Sequence, residues 1–302
     1  MAGNTGEVLK SLAVNAVIAT SKGIAAGLTG SGAMLAETLH SLADCGNQLL
    51  LLLGIRQSKR PADAKHPLGY GRTMYFWSFI VALLLFFGGG VFSAYEGIHK
   101  IRHPEPVGDI TIALVILGLS IALESWSTYG NIKLMNARRG DTGFFRYMRE
   151  TKDSDLIVVF GENSAAVLGL VLAMVFIIIS KVTNDGRWDA VGSLAIGVVL
   201  VGVATFLAKE VKSLLVGEGA DPIVLAAAQK LVDDDPNVVK MIRILSIQQG
   251  PGEIVVAMKL KFRDGLDTKQ LVAAINAFEV ELEKRVPEVK WSFIEPDDTD
   301  ED

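Results

Sequence analysis

Near-continuous apolar runs of about 20 residues, the length a helix needs to cross a bilayer, recur six times in the first two thirds of this 302-residue chain. They fall at approximately 9–29, 33–54, 74–95, 109–130, 155–180 and 189–208. The third and sixth are nearly free of charge, whereas the others carry ionisable or amide groups at membrane depth. The first run has neither the basic leader nor the small-residue cleavage site of a secretory signal, so it is expected to remain as span one.

After Asp221 the pattern shortens. Asp221-Pro222 reads as an N-cap with proline at the first helical position, opening a helix to about Asp234. Val238–Gln248 and Glu253–Arg263 are β-rich, the second alternating Met258, Leu260 and Phe262 with Lys259, Lys261 and Arg263. Gln249-Gly250-Pro251-Gly252 between them reads as a hairpin turn. A second helix capped by Asp267 or Thr268 and a short strand over Lys290–Glu295 complete an αββαβ unit, compatible with a ferredoxin-like arrangement. Pro296 to Asp302 is expected to be a disordered acidic end. The fold class is therefore a six-helix membrane bundle, residues 1–208, followed by a cytosolic α+β domain, residues 209–302.

Composition supports this division. Half the residues are hydrophobic and 21% are charged, and the mean hydropathy is +0.37. Residues 209–302 hold 12 Lys and Arg against 19 Asp and Glu, an acidic balance that argues against a nucleic-acid partner. Cys45 is the single cysteine, which excludes a disulfide framework and a cysteine-based zinc module. Lys and Arg concentrate in two loops. Arg56, Lys59, Arg60, Lys65 and Arg72 link spans two and three, and Lys133, Arg138, Arg139, Arg146, Arg149 and Lys152 link spans four and five. The other side shows only Lys100, Arg102, Lys181 and Arg187. Both termini are then expected in the cytosol, and the short N-terminus suggests a bacterial inner membrane.

Ionisable groups inside spans are costly and mark an ion pathway by default. Span two carries Glu37, His40, Asp44 and Asn47 along one helical stripe, with Gln48 beside it. His40 and Asp44, at i and i+4, can converge on one ion. Span five supplies Glu162 and Asn163 among small residues that allow close helix approach. Lys22 in span one and Glu124 in span four read as a buried structural pair, Asp155 as a cap, and Gly88-Gly89-Gly90 as a site of close packing or a bend.

The stretch Ala36-Glu37-Thr38-Leu39-His40-Ser41-Leu42-Ala43-Asp44 and the loop Lys65-His66-Pro67-Leu68-Gly69-Tyr70-Gly71-Arg72 resemble signatures of the cation diffusion facilitator family. The resemblance covers nearly the whole chain. Span five, Gly161-Glu162-Asn163-Ser164-Ala165-Ala166-Val167-Leu168-Gly169, looks most like the branch containing the human mitochondrial zinc exporter.

The resemblance implies a homodimeric antiporter that moves a divalent transition metal out of the cytosol in exchange for protons, and not an enzyme. It implies a transport site with two ligands from span two and two from span five, the latter as His-x-x-x-Asp. His40 and Asp44 match the first pair. Glu162 stands where the second Asp would be, and Val158 occupies the expected His position. Asn163, Asn47 or water could fill that gap, with Glu124 a remote candidate. One imidazole with two carboxylates suits Zn²⁺ and tolerates Co²⁺, Fe²⁺ or Mn²⁺. A second family site, in the loop after span two, would use Asp63 and His66, although His66 also reads as a structural loop residue and Tyr70 replaces a further His of some members. His99 and His103 flank the far end of span three. No resident cofactor is implied. The missing span-five His keeps a second class open, a metal-regulated scaffold or sensor that does not transport.

Overall fold

The computed structural model describes residues 2–29, 32–103 and 110–299, and the side chains of 5–24, 41–103 and 110–299 apart from residue 223. The chain divides into two compact units. The first holds residues up to Gln57, Thr73–Arg149 and Ser154–Lys212; the second holds Ser58–Arg72, Glu150–Asp153 and the chain from Ser213 onward.

Every expected span is a helix: α1 (Ala2–Thr29), α2 (Gly32–Ser58), α3 (Thr73–Arg102), α4 (Thr111–Arg138), then a short α5 (Phe144–Glu150), α6 (Ser154–Thr183) and α7 (Arg187–Val216). Among the described residues, α3, α4, α6 and α7 are long and apolar enough to cross a membrane. A 30-residue helix is about 45 Å long, against about 30 Å of hydrocarbon, so the ends of these helices project beyond it. The sixth helix continues to Val216, past the end of its apolar run.

Polarity in this unit is inverted relative to a water-soluble bundle. Phe87, Val115 and Val198 are 62%, 66% and 73% exposed, while Ser11, Asn15, Lys22, Gln48, Glu124, Asn131, Glu162 and Asn163 are buried. In water such an apolar exterior would aggregate; in lipid it is the solvated face. Of the three glycines of α3, Gly89 and Gly90 serve the expected close packing, against Leu200 and Val201 of α7. Residues Leu85–Val91 widen into a π-helical turn. From the α7 side, a Cβ on Gly197 would sit 2.9 Å from the Ala94 amide nitrogen and 3.0 Å from the Gly90 carbonyl oxygen. The two helices meet backbone to backbone.

In the second unit, α8 (Pro222–Asp234) precedes β1 (Val238–Gly250) and β2 (Glu253–Phe262), an antiparallel pair. Helix α9 (Thr268–Arg285) then carries the chain over to β3 (Val289–Pro296), which runs parallel to β2. β2 is the central strand. Its inward residues Ile254, Val256, Met258, Leu260 and Phe262 pack on Leu231 of α8 and Phe278 and Leu282 of α9. Asp267 is the N-cap of α9 and forms a full capping box with Gln270. The chain end departs from the expected disorder at its start. Asp297 pairs with Lys259 at 3.2 Å and Asp298 with Lys261 at 3.2 Å, because the alternation of β2 leaves those lysines on its outward face. Residues 300–302 lie outside the described residues.

The loop that follows α2 belongs to this second unit. Gln249 Nε2 donates to the Leu68 carbonyl at 3.5 Å. A Cβ on Gly71 would lie 2.7 Å from the Gln249 carbonyl oxygen, and one on Gly250 would lie 2.6 Å from Gly71 Cα. The β1–β2 hairpin therefore grips the loop through bare backbone. Gly71→Val should force the pair apart at a cost of about 1–3 kcal/mol. Trypsin cleavage of the native protein at exposed Lys65 should then accelerate several-fold, while Gly69→Val, at a position with φ of +78° but open space around it, tests backbone strain alone.

A candidate metal site in the helical unit

Along α2, Ser41, Asp44, Asn47 and Gln48 recur at helical spacing, with Ser41, Asn47 and Gln48 buried and Asp44 half-buried. On α6, the first turns from Ser154 to Val159 are wholly buried, and Gly161 lets the Leu207 side chain close on the helix. These packing contacts fix the height at which Glu162 and Asn163 enter the interior.

Glu162 is 3% exposed. Its Oε1 accepts a hydrogen bond from Asn47 Nδ2 at 2.8 Å, joining the α2 stripe to α6. Its Oε2 is buried and meets no hydrogen-bond partner among the described residues. A buried carboxylate oxygen without a partner is costly, and a cation is the ligand that relieves that cost most directly. The Asp44, Glu124 and Glu162 carboxylates lie close enough to act on one another electrostatically, and the Lys22 ammonium acts on Glu124. Lys22 Nζ also donates to Ser41 Oγ at 3.0 Å.

Asn163 is engaged differently. Its Oδ1 accepts from Ser11 Oγ at 2.9 Å and its Nδ2 donates to Ser127 Oγ at 2.9 Å, so it ties α1 and α4 to α6. Gln48 Nε2 donates to the same Ser11 Oγ at 2.8 Å. Val158 is fully buried and offers no donor atom. The side chains of Glu37 and His40 lie outside the described residues, and among the described residues no three His, Cys, Asp or Glu side chains are grouped as metal donors.

Several members of this interior were not singled out in the sequence: Ser11, Ser120, Ser127 and Asn131. A signal existed. Ser120, Glu124, Ser127 and Asn131 follow spacings of four, three and four on one face of α4, and all are buried. Asn131 makes no side-chain hydrogen bond among the described residues, which marks the same face as a lining of the polar interior.

The loop candidates form a separate, self-satisfied turn. Asp63 Oδ1 accepts from the Lys65 and His66 amides at 2.9 and 2.8 Å, and Oδ2 accepts from the Tyr70 hydroxyl at 2.6 Å. The Tyr70 hydrogen bond, followed by the His66 amide, holds the Asp63 carboxyl below the usual carboxylate range. His66 Nδ1 lies 3.6 Å from Asp63 Oδ1, and its ring rests against Tyr70 with centroids 4.2 Å apart.

A polar, carboxylate-bearing interior inside an apolar exterior suits the passage of a hydrophilic ion, and comparison with known proteins agrees. The model of the cation efflux transmembrane domain matches residues 8–216. The chain belongs to the cation efflux family. Members of this family are transporters and not enzymes. The chain is 30% identical over 257 residues to the human mitochondrial proton-coupled zinc antiporter SLC30A9, a stretch covering 84% of this chain and 45% of that protein. It is 29% identical over 234 residues to metal tolerance protein C4 of Arabidopsis thaliana, covering 77% and 51% of the two. To magnetosome protein MamB of Magnetospira sp. it is 26% identical over 223 residues, covering 72% and 70%. The chain spans about half the length of the first two relatives. The α+β unit after α7 lies beyond the cation efflux match, which ends at Val216.

Proposed function

We propose that this cation efflux protein is a proton-coupled antiporter that carries a divalent transition metal, Zn²⁺ first, away from the side bearing its Lys- and Arg-rich loops and both termini. The single observation that carries the reading is the buried Oε2 of Glu162, which meets no hydrogen-bond partner among the described residues and lies within electrostatic reach of Asp44. His40, Asp44 and Glu162 would bind the ion, supported by an amide. The name of the human relative, a proton-coupled zinc antiporter, adds weight to both the ion and the coupling.

The chemistry follows from competition for the same atoms. Metal requires ionised carboxylates and a neutral imidazole, so binding releases protons. On the acidic side the imidazole, with a reference pKa of about 6.5, recovers its proton and the ion leaves. Rocking of the helices about the site would expose it alternately to either side. The test is calorimetry of Zn²⁺ binding to the purified protein in buffers of different ionisation enthalpy. At least one proton should be released per ion in the wild type, and Asp44→Ala should abolish the event. A proton-neutral binding event, or unchanged binding by Asp44→Ala, would overturn the reading.

Of the two candidate amides, Asn47 bonds Glu162 directly whereas Asn163 bridges Ser11 and Ser127. Asn47→Ala should weaken metal binding about tenfold and also cost about 1–3 kcal/mol of stability, since it removes the donor to buried Glu162 Oε1. Asn163→Ala should mainly cost stability, by about 1–3 kcal/mol for two broken buried bonds. Val158→Ala should leave metal preference unchanged. Competition binding of Zn²⁺, Co²⁺ and Mn²⁺ beside thermal melts separates these effects, and a selectivity shift confined to Asn163→Ala would reverse the assignment.

The protein is proposed to be a homodimer, joined in part through apolar faces of the α+β unit. The outer sheet face carries two apolar rows, Leu245, Ala257, Phe293 and Ile247, Val255, Trp291, with Leu245 and Phe293 each 57% exposed. Residues 209–302 contain no His or Cys, so they lack the donors that hold zinc tightly. Chelator should leave the oligomeric state measured by sedimentation unchanged; dissociation on chelation would show a metal bridge.

A further inference from the structure

α3 is longer than the hydrocarbon requires; its last turns carry Tyr95 and His99, and His103, the residue that caps its C-terminus, follows His99 by four positions. This end is opposite the Lys- and Arg-rich loops, since one span separates the two. His99 and His103 are both exposed. Their ring centroids are 5.2 Å apart and the planes are tilted by 46°. The Tyr95 ring lies beside His99, with centroids 6.3 Å apart and planes tilted by 24°. The His103 amide still donates to the His99 carbonyl at 3.0 Å, so the His103 backbone is tied to the helix end as its C-cap.

That spacing has a chemical meaning. Two imidazoles bound to one tetrahedral ion, with Zn–N bonds of about 2.0–2.1 Å, have centroids roughly 5 Å apart and planes that diverge from the shared ion. The centroid spacing of the His pair, 5.2 Å, matches that separation. The Lys100 ammonium, next to His99 in the chain, is engaged by carboxylates: its Nζ lies 3.4 Å from Asp189 Oδ2 and 3.7 Å from Glu96 Oε1. Exposed Arg102 adjoins His103 in the chain, and its charge weakens cation binding there.

We propose that His99 and His103 form a second divalent-metal site at the outer end of α3, separate from the buried carboxylates. It takes a borderline ion, Zn²⁺, Ni²⁺ or Cu²⁺, through two imidazoles and water. Histidines four positions apart on a helix can share one metal; here the second stands at the helix C-cap, outside regular helix geometry, and the 5.2 Å ring spacing carries the pairing. It would act as a surface acceptor for metal on that side of the membrane, loading and unloading without a conformational change.

The test uses the full chain in detergent micelles, with Cu²⁺ as the probe for electron paramagnetic resonance and Zn²⁺ for equilibrium dialysis. The wild type should show one Cu²⁺ equivalent with hyperfine structure from two nitrogens. His99→Ala and His103→Ala should each lose that signal and weaken that Zn²⁺ equivalent at least tenfold, and the double variant should be no worse than either single one. His66→Ala should retain the two-nitrogen signal. A double variant that keeps the signal, or single variants that each lose half in an additive way, would overturn the proposal. Circular dichroism of the variants should match the wild type, because both side chains are exposed at a helix end, and metal loss accompanied by lost helicity would count against a site of this kind.

Discussion

Glu162→Gln should lower metal flux at least a hundredfold while leaving the protein as stable as before, or more so. The amide has the shape of the carboxylate and can still accept from Asn47 Nδ2, the bond Glu162 makes at 2.8 Å. What disappears is the charge. Even at an effective dielectric of about 20, a unit charge a few ångströms from an ion contributes several kcal/mol, and about 3 kcal/mol already corresponds to roughly a hundredfold in binding. Stability moves the other way because Oε2 is buried with no hydrogen-bond partner among the described residues, and a neutral group relieves that cost. Transport in proteoliposomes beside thermal melts in detergent checks both halves. Lost flux with a collapsed melting temperature would make Glu162 a structural strut; retained flux would remove it from the ion path.

A second large effect is expected at the α3–α7 contact. Gly197→Leu should destabilise the membrane unit by about 3 kcal/mol or more, since the new side chain meets main chain that cannot rotate away. A Cβ there already comes within 2.9 Å of the Ala94 nitrogen and 3.0 Å of the Gly90 carbonyl. Gly202→Leu on the same helix is the matched control, for nothing lies within 4 Å of a Cβ at that position. Size-exclusion profiles and melting temperatures should show a lowered melting point and aggregation for the first and near-normal behaviour for the second. Equal behaviour of the two variants would mean that α3 and α7 are not packed through bare backbone.

The contrast between these two sites explains what could be read from the sequence. The six helices were legible because lipid imposes about 20 continuous apolar residues, a signal too long to be mimicked by chance. The alternation of β2 was equally plain, since its buried Ile254, Met258 and Leu260 face one side and Lys259 and Lys261 the other. Helix ends were read short, as α7 shows by running on to Val216, because apolarity stops at the lipid boundary while hydrogen bonding does not. The stripe of His40, Asp44 and Asn47 was visible because spacing alone aligns residues within one helix. Which α2 residue meets which α6 residue was not visible. Asn47 and Gln48 are neighbours in the chain, yet one bonds Glu162 and the other Ser11; helix rotation and depth decide that, and both are set by contacts such as Gly161 with Leu207. The grip of the hairpin on Gly71 was hidden for a similar reason: it depends on two glycines almost 180 positions apart.

Coupled flux in proteoliposomes measures the central claim most directly. Vesicles holding the wild-type protein would carry a zinc indicator and a pH indicator together, with a proton gradient imposed across the membrane. Zinc should move against protons, the two signals opposite in direction and linked at every gradient, with both lost in Asp44→Ala. Zinc movement that ignores the gradient, or no movement of Zn²⁺, Co²⁺, Fe²⁺ or Mn²⁺ by protein shown to be folded, would contradict that claim.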